Sequence, residues 1–294
     1  MAKLPEIQEE MFFFEGSKGR KLLGFLHLPD AESITAGIIY SHPFAEEKNC
    51  SHAIATKTAR SFAEHGFAVF RFDYSGCGDS EGELMATTLT DWQDDLRCAC
   101  AQLKQKANVS KLIYFGLRTG AVLALLEAMK KQHTLMAILW QPVFDLKTFI
   151  QQFLRHRLGA EIAARGGNKV TVGELASEIE TKGSLEVAGY ELSRQLYQSF
   201  LNFGKIGIFK PLHFPVLLVS IATTTRPSFA MKNAAMLLQK HTHAFEFEHV
   251  AMEPFWDRYW QWDAPELVQL TVNWLKRPHI DQQQQASLAN ANDF

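Results

Sequence analysis

Leu112-Ile113-Tyr114-Phe115-Gly116-Leu117-Arg118-Thr119-Gly120-Ala121-Val122-Leu123-Ala124-Leu125-Leu126 is the stretch on which the fold turns. Its first four residues read as a buried strand and its last six as the start of an apolar helix. The pentapeptide Gly116–Gly120 joins them, leaving room only for a sharp turn. Its two glycines let the backbone bend and let the helix pack against the strand. A G-x-S-x-G turn in this context presents a nucleophilic serine, but here the tip is Arg118. A guanidinium cannot attack an acyl carbon and stays protonated at any working pH.

Outward from this turn, strand-like and helix-like segments alternate, the pattern of a mostly parallel sheet with helices on both faces. Met11–Phe14 and Leu22–Leu28 are predicted to open the chain as antiparallel strands. Gly37–Tyr40, Ala68–Phe72, Met136–Trp140, Val216–Val219 and Ala244–Val250 supply the other strands. Helices are predicted over Ala53–His65, from a Thr90 cap to about Gln105, near Ser228–Gln239 and over Pro265–Leu275. The alternation breaks between Phe144 and Phe209. There Phe149, Phe153, Leu154, Leu158 and Ile162 recur at helical spacing, Gly166-Gly167 interrupts, and helical stretches follow around Val172–Thr181 and Tyr190–Asn202. The expected organisation is a core of 1–144 plus 210–279, a helical cap insertion of 145–209, and a disordered tail of 280–294 containing four consecutive glutamines.

Composition narrows the function classes. Hydrophobic residues make up 47% of the 294 and charged residues 21%, enough to bury a full core. A net charge of −2 speaks against a nucleic-acid or anionic-membrane surface. No run of about 18 apolar residues would span a bilayer, and the first residues lack the apolar core of a secretory signal. The four cysteines, Cys50, Cys77, Cys98 and Cys100, lack metal-site spacing and read as reduced thiols. These features imply a cytoplasmic protein without metal or cofactor.

Two further segments complete a family pattern. Ser41-His42-Pro43-Phe44 resembles the loop after the third strand of α/β-hydrolases, which supplies an oxyanion-hole N–H. Asp73-x-x-Gly76-x-Gly78-x-Ser80 resembles the turn after their fourth strand. With the Gly116–Gly120 turn, these imply an α/β-hydrolase fold: a mostly parallel central sheet, helices on both faces and a helical cap. More narrowly, Pro43-Phe44-Ala45-Glu46-Glu47-x-Asn49, Gly116-Leu117-Arg118-x-Gly120-Ala121, Leu139-Trp140-Gln141-Pro142-Val143 and Gln152-Phe153-Leu154-Arg155 resemble the exosortase A system-associated hydrolase 2 group. That resemblance covers roughly residues 8–277. It implies an association with exopolysaccharide and protein-sorting systems, and an elbow that lacks serine.

The resemblance places a triad acid after Val216–Val219, where the chain reads Ser220-Ile221-Ala222-Thr223-Thr224-Thr225-Arg226-Pro227, without a carboxylate. It places a triad histidine after the last strand, where Val250-Ala251-Met252-Glu253-Pro254-Phe255-Trp256-Asp257 has none. The reading is therefore of a relative without the serine triad. The alternative is an ester or acyl hydrolase with a relocated nucleophile, Cys77 or a serine, served by His42, Asp145 or His249. Each has a structural role to set against this: His249 a strand-end residue, Asp145 a helix cap, Cys77 an inert thiol, Ser80 a bond within its own turn.

Arg118 either pairs internally with Glu46 or Glu47 or offers its planar fork to a ligand carboxylate or phosphate. Thr119, His42, Phe44, Trp140, Gln141 and Trp256 are expected around it, with aromatic faces suited to sugar rings. The expected partner is a small-molecule, acylated or sugar ligand. A third reading makes the cap a protein-docking surface.

Overall fold

The computed structural model describes residues 6–277 except 31–33, 133, 159–170, 209 and 243. Strand β1 (Ile7–Glu15) pairs antiparallel with β2 (Lys21–Pro29), and β2 pairs antiparallel with β4 (Phe67–Phe72). From there every pairing is parallel. β4 lies beside β3 (Ala36–Ser41), followed by β5 (Leu112–Leu117), β6 (Thr134–Trp140), β9 (Val216–Ala222) and β10 (Phe245–Ala251). The parallel strands β3 to β6 are buried at every residue, which is why they read as continuous apolar runs rather than alternating ones.

Period-two alternation divides each strand between two cores. Leu112 and Tyr114 face helices α2 (Leu89–Ala107) and α3 (Thr119–Ala128) and the later α7 (Phe229–Gln239). Ile113, Phe115 and Leu117 face α1 (Glu46–Glu64) and the last helix, α8 (Pro265–Leu275). α1 begins at Glu46, seven residues before the predicted Ala53. Its first two turns are polar, so apolar periodicity misses them, while Glu46 and Glu47 suit the positive end of the helix dipole. The cap of α2 is Thr88, not Thr90: its hydroxyl accepts from Asp91 N–H, and the Asp91 carboxylate accepts from Thr88 N–H in return.

Between β6 and β9 run α4 (Leu146–Phe153), α5 (Val172–Lys182), a hairpin of β7 (Ser184–Val187) and β8 (Tyr190–Ser193), and α6 (Arg194–Phe203). The hairpin replaces the start of the helix predicted from Tyr190. Phe149, Phe153 and Phe200 from this segment surround Phe44 edge-on, with ring centroids at 6.2, 5.1 and 5.1 Å. The segment is thereby held over the carboxyl ends of β3 and β5. Ile162, Gly166-Gly167 and the predicted tail of 280–294 lie outside the described residues.

Candidate functional site around Arg118

The turn between β5 and α3 is built as its glycines require. A Cβ on Gly116 would sit 2.5 Å from Ala121 Cα, and one on Gly120 would collide with the carbonyls of Ser41 and His42. At the tip Arg118 adopts φ 55° and ψ −120°, a strained conformation for a side-chain-bearing residue. Its N–H donates to Trp140 O at 2.9 Å and its carbonyl accepts from Val143 N–H at 3.3 Å, so both neighbouring segments hold the turn.

The arginine side chain is paired internally. Nε and Nη2 donate to Glu47 Oε1 at 3.1 and 3.0 Å. The guanidinium lies 4.9 Å from the Trp256 ring centroid and 5.9 Å from that of Phe149. Burial pushes the Glu47 carboxyl above its ordinary range, and the Arg118 charge pulls it back. Glu47 Oε2 is buried with no hydrogen-bond partner. Glu46, the other predicted partner, turns away and accepts from Tyr190 Oη at 2.6 Å and Asn49 Nδ2 at 3.2 Å.

The residues around the elbow hold one another. Phe44 N–H, from the loop that resembles an oxyanion-hole donor, gives its hydrogen to Thr119 Oγ1 at 3.0 Å. His42 is buried; its Nε2 accepts from Tyr74 N–H at 3.3 Å, so Nδ1 carries the proton and donates to Pro43 O at 2.7 Å. Burial lowers its pKa to about 4, with the nearby Lys48 charge adding to the effect. Both ring nitrogens are thus committed to backbone. Gln141, at φ 43°, accepts from Ile221 N–H at 2.7 Å and ties β6 to β9.

Trp140 is not part of a ligand surface. It is 1% exposed, and its indole N–H donates to Thr271 Oγ1 at 3.2 Å on the α1/α8 side of the sheet. Strand alternation puts Leu139 toward the α2/α3 side and Trp140 away from it. Trp256 and Phe255 are likewise buried, whereas Tyr259, Trp260 and Trp262 are exposed.

The relocated-nucleophile residues do not assemble a partnered pair. Burial pushes the Cys77 thiol up to about 12, and its backbone N–H donates to Tyr74 O. Asp145 caps α4, accepting from Thr148 N–H at 2.8 Å. His249 Nε2 lies 2.8 Å from Thr224 O. Ser80 Oγ donates to Asp73 O at 2.6 Å, within its own turn. Ser220, which composition does not single out, stands beside His249 in register. Ser220 Oγ and His249 Nδ1 are both buried without a hydrogen-bond partner, so no bond joins them.

Next to Arg118 opens a cavity of ≈ 640 Å³ between β6, α4 and α7. Val143, Phe144, Phe149, Ile206, Met231 and Leu237 give it apolar walls; Arg118, Gln141, Lys205 and Lys240 add polar groups. Of the residues predicted to bind a ligand, Arg118 and Gln141 line it. It has the size and mixed lining of a small-molecule site.

The profile of the serine aminopeptidase S33 family matches residues 34–191, from the segment before β3 to β8. No curated protein matches the chain. Among solved structures, Est1E from Butyrivibrio proteoclasticus, with ferulic acid bound, is 16% identical with a TM-score of 0.62, over 95% of this chain and 99% of that one. The α/β-hydrolase GrgF from Penicillium sp. sh18 is 19% identical with a TM-score of 0.62, over 93% and 99%. Mouse alpha/beta hydrolase domain-containing protein 10 is 16% identical with a TM-score of 0.58, over 93% and 99%. At such identities these likenesses speak to the fold, which is theirs. The profile match covers more than half of the chain, and the protein belongs to the serine aminopeptidase S33 family of α/β-hydrolases.

Proposed function

We propose that the protein binds an amphiphilic anion in the cavity beside Arg118 and does not hydrolyse it through a serine triad. The observation that carries this reading is the elbow tip itself. The position that would hold a nucleophile holds a guanidinium, paired with Glu47 and stacked on Trp256. The Phe44 amide is engaged by Thr119, so it is not free to stabilise an oxyanion. Apolar walls suit an acyl chain, and the exposed amines of Lys205 and Lys240, with Arg118, suit a carboxylate or phosphate head. The motif resemblance to the exosortase A system-associated group supports an acylated saccharide of exopolysaccharide metabolism as the natural ligand.

Calorimetric titration with decanoate tests the proposal. Saturable binding near one per chain is expected, weakened by about tenfold or more in Arg118→Gln, as loss of a charge-assisted contact implies. Equal affinity in wild type and variant would overturn it.

A further inference from the structure

Arg71 is a charged residue near the carboxyl end of an otherwise apolar strand, β4. Register places it between Phe25 of β2 and Tyr40 of β3, on the face covered by α1. It is 8% exposed. Its guanidinium lies 5.2 Å from the Phe25 ring centroid, and its Nε donates to His27 Nε2 at 3.2 Å. Burial holds His27 at about 4, so at neutral pH that partner is an uncharged imidazole. Among the described residues no carboxylate is within ion-pair distance of Arg71. Asp73, on the same wall, is held by Lys48 at 3.0 Å, and Glu9, held by Arg60 at 2.9 Å, reaches Arg71 only through His27, whose Nδ1 lies 2.7 Å from Glu9 Oε1.

A buried cation whose nearest carboxylates are held by other cations is costly to desolvate, and a ligand anion would offset that cost. Beside Arg71 is a cavity of ≈ 280 Å³ lined also by Tyr40, Lys48, Ser51, His52, Asp73 and Asp79. It lies at the carboxyl end of β3 and β4, the end at which open α/β sheets take their ligands. We infer that this cavity is a second ligand site, separate from the one beside Arg118, that binds a small hydroxylated carboxylate with Arg71 as its anion-binding residue.

The chemistry selects that class. The planar fork of arginine matches a carboxylate through two parallel hydrogen bonds. Asp73 and Asp79 in the wall disfavour a dianion such as phosphate, yet both accept hydrogen bonds from hydroxyl groups. Phe25 and Tyr40 line the same cavity, so the proposed ligand would meet an apolar ring and a phenol-bearing residue there.

Saturation-transfer NMR with lactate as the probe, in buffers matched for ionic strength with potassium chloride, tests the site on the full-length protein. Saturable binding is expected in the wild type and in Arg118→Gln, and binding about tenfold or more weaker in Arg71→Gln. If Arg71→Gln does not fold, Arg71→Lys takes its place: it keeps the charge and loses the fork, and a several-fold loss of affinity is expected. The proposal is overturned by no saturable lactate binding in the wild type, or by undiminished binding in the folded Arg71 variant. Tighter binding of inorganic phosphate than of lactate would likewise overturn the assignment to a carboxylate. Because Arg118→Gln is carried alongside, loss of the Arg118 site and loss of the Arg71 site are read separately.

Discussion

At the elbow the chemistry of one side chain decides what the fold can do. Arg118 and Glu47 form a pair that is more than four-fifths buried on each side, so removing one charge strands the other. Arg118→Gln is expected to lower stability by about 3 kcal/mol, with the double variant Arg118→Gln/Glu47→Gln costing less than the sum of the singles, as read by urea unfolding. Arg118→Ser restores a hydroxyl at the tip but no base. It is therefore expected to show no esterase activity toward p-nitrophenyl esters, and measurable turnover would mean that a base is within reach. His42 offers a pH test. Its folded pKa of about 4 is below the ordinary 6.5, so the unfolded chain takes up the proton first. Its contribution is complete above pH 6.5 and is lost as pH falls toward 4. His42→Gln should remove up to about 1.4 kcal/mol per pH unit of that slope in thermal or urea unfolding; an unchanged slope would mean His42 titrates normally.

The elements carry the elbow as a rigid unit. Gly120→Ala places a methyl against the Ser41 and His42 carbonyls and is expected to cost about 3 kcal/mol and to disturb the Phe44–Thr119 contact, whereas Thr88→Ala removes only the α2 cap, about 1 kcal/mol. Equal costs, measured by urea unfolding, would mean that the close approach of α3 to β3 is relieved by a backbone shift. How far such elements could be read in the sequence depended on where their stability comes from. The buried strands β3 to β6 and the apolar helix α3 announce themselves because their own side chains fill the core. The first two turns of α1 do not, since tertiary packing rather than periodicity fixes them. The β7–β8 hairpin was also hidden. Its two-residue turn puts Ala188 at φ 52° and Gly189 at φ 84°, a geometry usually signalled by Asn-Gly. With alanine in the first place the local signal is weak, and pairing of Val187 with Tyr190 decides the outcome.

At the scale of the whole molecule, two cavities sit at the carboxyl ends of the strands, one beside Arg118 and one beside Arg71. The first was legible: the G-x-x-x-G spacing locates the elbow, and two adjacent glutamates in the facing loop suggest a partner for Arg118, of which Glu47 is the one engaged. Trp140 sits near the strand end, which suggests the ligand side, but strand alternation turns it to the other face. Arg71 belongs to no motif, yet one charge in a buried strand is itself a sequence signal that calls for a partner. No helix among the described residues is long and apolar enough to cross a membrane. The most direct test of a triad-less elbow needs no knowledge of the ligand: intact-protein mass after exposure to a fluorophosphonate probe, with a heat-denatured control. With Arg118 at the tip and no partnered serine, folded and denatured protein should both retain the unmodified mass. One adduct per chain on the folded protein alone, mapped to a serine such as Ser220, would show an activated nucleophile and contradict the assignment.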